Sequence, residues 1–263
     1  MAIVGFKCIN TDENVSFDDC LKCALTYENN CHFPAEIING IIQESTDTRE
    51  GISVTKLLGC PRSTYLVEHN DVYVSLDNLY WLFRGTLTHA IMEKYKLDPD
   101  AITEKRFKRK IKGLTITGKP DIIVPKAGLI RDWKTTKEVP YYSRAYPNHE
   151  QQLNLYRWLI NKKYKIDKLE VVYMDMSRVK ICSVKKVWKL SDCEDFITKR
   201  ASVLAEALKS NIPPPVPGEF PLYWQCRDYC ACRDICAKLW QEETRQGFED
   251  WSQKEWAGVN EKP

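Results

Sequence analysis

Three extended segments in close succession constrain this chain more than any other feature. They run roughly Ile102–Ile111, Leu114–Val124 and Gly128–Lys134, and Lys112-Gly113 supplies a tight turn between the first two. A sheet built from them must bury a face, and the flanking sequence offers the helices to cover it. Leu76–Tyr95 is amphipathic, with Leu79, Leu82, Phe83, Leu87, Ile91 and Tyr95 on or near one stripe. A second helix is expected from about Asn148 to Lys162. Lys168–Met176 and Lys180–Val187 then read as a strand pair. Ser191–Lys209 reads as a helix capped by Ser191, with Glu194 three residues on. Upstream, Ile52–Leu66 opens on Ser-Val-Thr and reads as a short helix carrying Cys60. Downstream, Ile212–Pro221 holds five prolines and must be an extended connector. The order predicts an α+β core, a mixed sheet flanked by helices.

The 263 residues suffice for one large domain with appendages. No segment approaches about 18 consecutive apolar residues, which excludes a membrane-spanning helix. The start, MAIVGFKCINTDENVSF, lacks the basic and apolar regions of a secretory signal, so a cytoplasmic location is expected. The polar stretch Glu44–Gly51 reads as a linker. It separates an N-terminal Cys-bearing module, 1–45, from a main domain, 52–240, and a polar tail follows over 241–263. The net charge is only +3. Between Ala101 and Pro140, however, 11 Lys or Arg face 4 Asp or Glu, a local balance of +7. Such a run is either a solvated face or a phosphate-binding surface.

The chemistry concentrates on those strands. Gly118-Lys-Pro-Asp121 is followed eleven residues later by Asp132-Trp-Lys134. Strand side chains alternate with a period of two, so Asp132 and Lys134 share a face and Trp133 points away. Asp121 lies near the end of the preceding strand and can sit beside Asp132. Two adjacent carboxylates repel unless a divalent cation lies between them, and oxygen ligands suit Mg²⁺ or Mn²⁺. A nearby Lys can orient the attacking water and offset charge in a phosphorane-like transition state.

This arrangement resembles the PD-(D/E)XK nuclease superfamily, its RecB-like branch, and within that the CRISPR-associated Cas-four type. The resemblance covers about residues 52–240 and implies a restriction-endonuclease-like core. His89, in Arg84-Gly-Thr-Leu-Thr-His89, stands where that branch has a metal-binding His. Glu104 stands where the family often has an acidic residue. Gln152-Leu-Asn-Leu-Tyr156 matches its Q-x-x-x-Y helix motif, whose two polar residues share a face one turn apart and hold DNA or Lys134. The implied site is thus Asp121, Asp132, Lys134, Gln152 and Tyr156, with His89, Glu104, Asp121 and Asp132 on the metal.

Eleven cysteines are many for a cytoplasmic chain, where clustered thiols argue for metal rather than disulfides. The resemblance implies a [4Fe–4S] cluster with one ligand ahead of the core and three behind it. Cys60, Cys226, Cys230 and Cys236 fill these places, although Cys232 could replace Cys230 and a Cys₄ zinc site is the alternative. The cluster would clamp the two ends of the core. Cys8, Cys20, Cys23 and Cys31 form a separate set whose C-x2-C knuckle suits zinc, with His32 able to substitute for Cys31 and buried thiols as the alternative.

The resemblance implies an exonuclease acting on single-stranded or end-frayed DNA, as in CRISPR prespacer trimming beside the spacer integrase complex. A stand-alone or phage-type RecB-like exonuclease of replication or repair would use the same chemistry. A non-catalytic DNA-binding scaffold is the rival, and the intact Asp121, Asp132 and Lys134 argue against it. A homo-oligomer is compatible with the chain, and no membrane partner is expected.

Overall fold

The computed structural model describes residues 3–26, 31–45, 51–95, 98–215, 226 and 229–244. The chain forms two compact units. Unit 1 comprises Met1–Asp47, Gly59–Leu79 and Val203–Pro263, and unit 2 comprises Thr48–Leu58 and Tyr80–Ser202.

Unit 2 carries the three-strand region, and the first two of its extended segments are each broken once. Strand β5 (Ile102–Thr103) is separated from β6 (Phe107–Ile111) at Glu104, which adopts a left-handed φ of 49°. Strand β7 (Leu114–Gly118) is separated from β8 (Ile122–Val124) at Lys119-Pro120-Asp121. β9 follows over Leu129–Thr135. Lys112 and Gly113, at φ 45° and 81°, close the β6–β7 hairpin, a positive-φ pair that matches the twist of paired strands. The breaks split the region between two sheets. β6 and β7 join β3 (Ile52–Ser53) in the order β3-β7-β6. The main mixed sheet has the order β11-β10-β9-β8-β5, with β10 at Lys168–Met174 and β11 at Val179–Ser183.

β9 and β10 run parallel, so the chain between them must cross over, and it does so through helix α6 (Pro147–Ile160). Pro147 starts that helix where a missing N–H costs nothing. α6 is buried along most of its length, with Leu153, Leu155, Trp158 and Ile160 in the core beside Ile116, Ile123, Ile130 and Val171. Asn154 is fully buried yet satisfied. Its Nδ2 donates to the Glu150 and Lys186 carbonyls, and its Oδ1 accepts from the Trp188 amide. Gly118 lets β7 approach α6: a Cβ there would lie 2.9 Å from the Tyr156 ring and 2.8 Å from Leu159.

Three expectations change. The helix expected over Ile52–Leu66 is β3, a short helix α3 (Val54–Leu58) and helix α4 (Pro61–His69), interrupted at Gly59-Cys60 because Pro61 begins a new helix. Helix α5 (Leu76–Lys94) forms as expected and buries Leu79, but most of the rest of its apolar stripe does not face the core. Leu82 is 69% and Tyr95 73% exposed, and Leu87 and Ile91 are exposed too. The face turned toward β9 instead carries Gly85 and His89, one turn apart. Helix α7 (Leu190–Ser210) starts ahead of Ser191, which therefore does not cap it. Glu194 instead accepts from Arg109 Nη2 (2.8 Å) and Trp158 Nε1 (3.0 Å).

Arg109 shows why the basic run is not all phosphate-binding surface. Its guanidinium stacks 4.0 Å from the Trp158 ring centroid and donates to the Trp158 carbonyl, Asn161 Oδ1 and Glu194. Arg109→Ala should destabilise the fold by about 3 kcal/mol, because charged hydrogen bonds are lost and acceptors are stranded. Denaturant unfolding measures this, and a loss below about 1 kcal/mol would contradict the structural role.

In unit 1, β1 (Ile3–Lys7) pairs antiparallel with β2 (Asn14–Ser16) and parallel with β4 (Val72–Ser75). The first 45 residues therefore do not close on themselves. Helices α1 (Phe17–Leu25) and α2 (Ala35–Ser45) pack together, and Ser16 caps α1 through the Asp19 amide. Helix α8 spans Arg233–Thr244. The expected tail beyond Thr244 and the connector from residue 216 to 221 lie outside the described residues. Among the described residues no helix is long and apolar enough to cross a membrane.

Candidate metal centre

The two strand breaks in unit 2 build the site. Glu104 turns out of β5, and its backbone amide donates to the Asp121 carbonyl (3.0 Å). Its left-handed backbone costs on the order of 1–2 kcal/mol, strain of the kind that collects at functional sites. Asp121 sits where β8 begins, and its Oδ2 accepts the Trp133 amide at 2.6 Å. His89 arrives from α5. Its Nδ1 lies 3.2 Å from Asp121 Oδ1 and 3.4 Å from Glu104 Oε1, and its Nε2 lies 3.1 Å from the Trp133 carbonyl. One ligand atom from each of His89, Glu104 and Asp121 falls within 4.8 Å of the others. Lys119 forms an ion pair with the other oxygen of Glu104.

The D-x-K strand behaves as its alternation demands. Lys134 Nζ lies 2.6 Å from Asp132 Oδ2, while Trp133 offers only its backbone to Asp121 and His89. Asp132 is buried, and its Oδ1 has no hydrogen-bond partner among the described residues. Asp132 is thus tied to Lys134 rather than to the His89–Glu104–Asp121 trio.

Electrostatics follow from this packing. Burial raises the Asp132 carboxyl to about 6, with Lys134 opposing the rise and Asp121 adding to it. Burial works against the charge on Lys134, but Asp132 and Asp121 outweigh it and raise its pKa. Burial likewise opposes charge on His89, yet hydrogen bonds to Asp121 and Glu104 push its pKa up to about 10. Without metal, His89 is therefore an imidazolium whose proton occupies the space between two carboxylates.

Gln152 and Tyr156 are buried, and Gln152 Nε2 donates to the Tyr156 hydroxyl at 2.9 Å. The pair engages itself, within reach of the charges on Asp132, Asp121 and Glu104, whose effect joins burial in raising the Tyr156 pKa. Two further residues stand beside Lys134 and were not legible as site residues. His149, one turn before Gln152, is pushed down to about 4, mainly by burial and next by the Lys134 charge, so it is neutral. Its Nδ1 lies 2.8 Å from the hydroxyl of Tyr173, which is registered opposite Lys134. Its spacing, i to i+3 ahead of Gln152, was the only signal available.

Both cysteine sets lie in unit 1. Burial and the nearby Cys230, Cys60 and Cys236 raise the Cys226 thiol to about 12. Cys60 N-caps α4, and Cys236 lies on α8. Cys230 Sγ lies 3.6 Å from Ser63 Oγ, and the Cys232 thiol donates to the Ser63 carbonyl at 3.7 Å. In the N-terminal set, Cys20 and Cys23 are one turn apart on α1, and burial together with Cys31, Cys23 and Cys8 raises the Cys20 thiol to about 11. Backbone amides of Asn10 and Thr11 hydrogen-bond Cys8 and lower its pKa. His32 lies 3.9 Å from Asp77. Among the described residues no three cysteine sulfurs approach one another as closely as the ligand atoms of His89, Glu104 and Asp121 do. One zinc ion would need the N-terminal thiols drawn closer, whereas an iron–sulfur cluster spans a wider ring of thiolates.

The fold is similar to the crystal structure of SSO0001, at 23% identity and a TM-score of 0.54, covering 76% of this chain and 93% of that one. A phage related exonuclease from Haemophilus somnus 129PT aligns at 13% identity and a TM-score of 0.39, over 57% of this chain and 81% of that one. No curated protein matches. Residues 99–237, just over half of the chain and the stretch that holds Glu104, Asp121, Asp132 and Lys134, match the family model of the PD-(D/E)XK nuclease superfamily, and the chain belongs to that superfamily.

Proposed function

We infer that this protein is a metal-dependent deoxyribonuclease that hydrolyses phosphodiester bonds at single-stranded or frayed DNA ends. The observation that carries the reading is the meeting of His89, Glu104 and Asp121 beside the Asp132–Lys134 pair. A nitrogen and carboxylate oxygens suit Mn²⁺ or Mg²⁺, and the unpartnered Oδ1 of Asp132 is a further donor. A divalent cation held there supplies Lewis-acid polarisation of the phosphoryl group and activation of water.

The chain's own residues do the rest. Trp133 fixes Asp121 through its amide and His89 through its carbonyl, so one backbone unit sets two of the ligands. Asp132 holds the Lys134 ammonium in place, where its charge offsets the negative charge that develops on the scissile phosphate. His149 stays neutral and leaves Lys134 as the cation at this position. Tyr156, held by Gln152, closes the buried side of the acidic group.

We further assign a structural [4Fe–4S] cluster to Cys60, Cys226, Cys230 and Cys236, and zinc to Cys8, Cys20, Cys23 and Cys31. Hydrogen bonding favours Cys230 over Cys232 as the cluster ligand. The Ser63 hydroxyl can donate to a Cys230 thiolate, but the Ser63 carbonyl only accepts, so Cys232 keeps its proton. The cluster pattern favours trimming of prespacer ends beside a spacer integrase. The additional N-terminal thiols favour a stand-alone exonuclease instead.

The test is cleavage of labelled single-stranded DNA with Mn²⁺ by anaerobically purified protein, beside Asp132→Ala. Wild type should cut and the variant should not; equal cutting sinks the site. The same preparation should be brown and carry iron and sulfide, and a colourless, zinc-loaded protein removes the cluster from the reading.

A further inference from the structure

The segment between β9 and α6, residues 136–146, is tied along its backbone. The Thr136 amide donates to the Met174 carbonyl (2.9 Å), and the Val139 amide donates to Asp175 Oδ2 (3.1 Å). Lys180 Nζ donates to the carbonyls of Pro140 (2.9 Å) and Tyr141 (2.6 Å), and the Tyr146 amide donates to the Tyr173 hydroxyl (2.9 Å). A loop pinned this firmly could tuck its large side chains inward. Instead Tyr141 is 88% and Tyr142 76% exposed. Their ring centroids lie 5.1 Å apart with the planes at 90°.

The sheet register places the backbone that carries these rings beside the active-site face. Lys134 lies opposite Tyr173, and Tyr173 lies opposite Lys180. Residues opposite one another share a face, and adjacent strands are about 4.8 Å apart. Lys180 therefore reaches the loop from the face that carries Asp132 and Lys134, two strand spacings or about 10 Å away. The same loop carries Lys137, a basic side chain complementary to a phosphate backbone, and Arg144, which is ion-paired with Glu150 at 3.6 Å.

We propose that Tyr141 and Tyr142 form a stacking platform for unpaired bases of the DNA strand whose backbone enters the metal centre. The proposal rests on the nuclease reading and names what selects its substrate. Perpendicular rings cannot both face one base, so each takes its own. Bases inside a duplex keep their faces stacked on each other and have none to offer, so the platform discriminates single strands and frayed ends from intact duplex. Stacking is indifferent to base identity, which gives strand selection without sequence preference.

The experiment is fluorescence anisotropy with the full chain and a labelled mixed-sequence single strand, with chelator present to stop cleavage, alongside the same sequence as a blunt duplex. The Tyr141→Ala/Tyr142→Ala variant should bind the single strand about 10- to 100-fold more weakly, with duplex binding and melting temperature unchanged. The slope of log Kd against log salt should not change, because no phosphate contact is lost. With Mn²⁺, the loss should fall on KM rather than kcat. Tyr141→Phe/Tyr142→Phe should restore wild-type binding. Single-strand binding equal to wild type in the Ala variant overturns the platform, as does an equal loss on duplex or failure of the Phe variant to rescue. If the Ala variant is unaffected while wild type cuts normally, the platform alone falls. Wild-type protein that binds no DNA overturns the nuclease reading as well.

Discussion

Lys134→Ala is expected to lower the rate of DNA cleavage by about 10²–10³-fold at saturating substrate, the usual cost of removing one preorganised electrostatic partner of a transition state. Lys134 is the positive charge beside Asp132, held by that buried carboxylate and flanked by a neutral His149, whereas His89 and Lys119 are paired with Asp121 and Glu104. Its ammonium contributes most where negative charge builds on phosphorus, so the loss belongs on kcat. Metal binding should survive, because His89, Glu104 and Asp121 meet without help from Lys134. Stability should suffer less than is usual when a buried ion pair is broken. Asp132 already sits near about 6, and without its partner it takes up a proton at neutral pH. Single-turnover cleavage and Mn²⁺-dependent melting, measured on the same sample, separate the two roles. A rate within a few-fold of wild type removes Lys134 from the chemistry.

Asp121→Ala should abolish both properties at once. The substitution deletes the oxygen that faces His89 and strands the Trp133 amide that Asp121 Oδ2 accepts. Wild type at a metal concentration about 100 times its Kd should gain about 2.7 kcal/mol, a rise of roughly 5–10 °C in melting temperature for a chain of this size. In the variant that shift should vanish, with cleavage down more than about 10³-fold. The pH dependence carries its own sign. The His89 pKa is raised to about 10, so its bridge to the two carboxylates stabilises metal-free protein fully below 6.5 and is lost as pH rises through the folded value. A cation must displace that proton from Nδ1, so metal-induced stabilisation should grow as pH rises over the same window. A shift that stays flat with pH in wild type, or that persists in Asp121→Ala, is incompatible with His89 and Asp121 as ligands.

The sequence by itself determined whatever depends on near neighbours along the chain. Alternation put Asp132 and Lys134 on one face, and they meet at 2.6 Å. Lys112-Gly113 closed a hairpin because the turn requires positive φ at both positions. The i to i+4 spacing of Gln152 and Tyr156 brought their side chains into contact. Tertiary structure decided what depends on residues far apart. The amphipathic pattern of Leu76–Tyr95 did not say which face α5 would turn to β9: His89 on that face meets Asp121 and Glu104, while Leu82, Leu87 and Ile91 are exposed. Nor could period-two patterning show that the strands would break at Glu104 and Asp121, although those breaks swing both carboxylates to one point. Arg109 looked like its basic neighbours until Trp158 and Glu194 closed around it. His149 gained its place only when β10 brought Tyr173 alongside Lys134. Periodicity fixes which side chains share an element's face, but burial and charge pairing between elements decide where that face points.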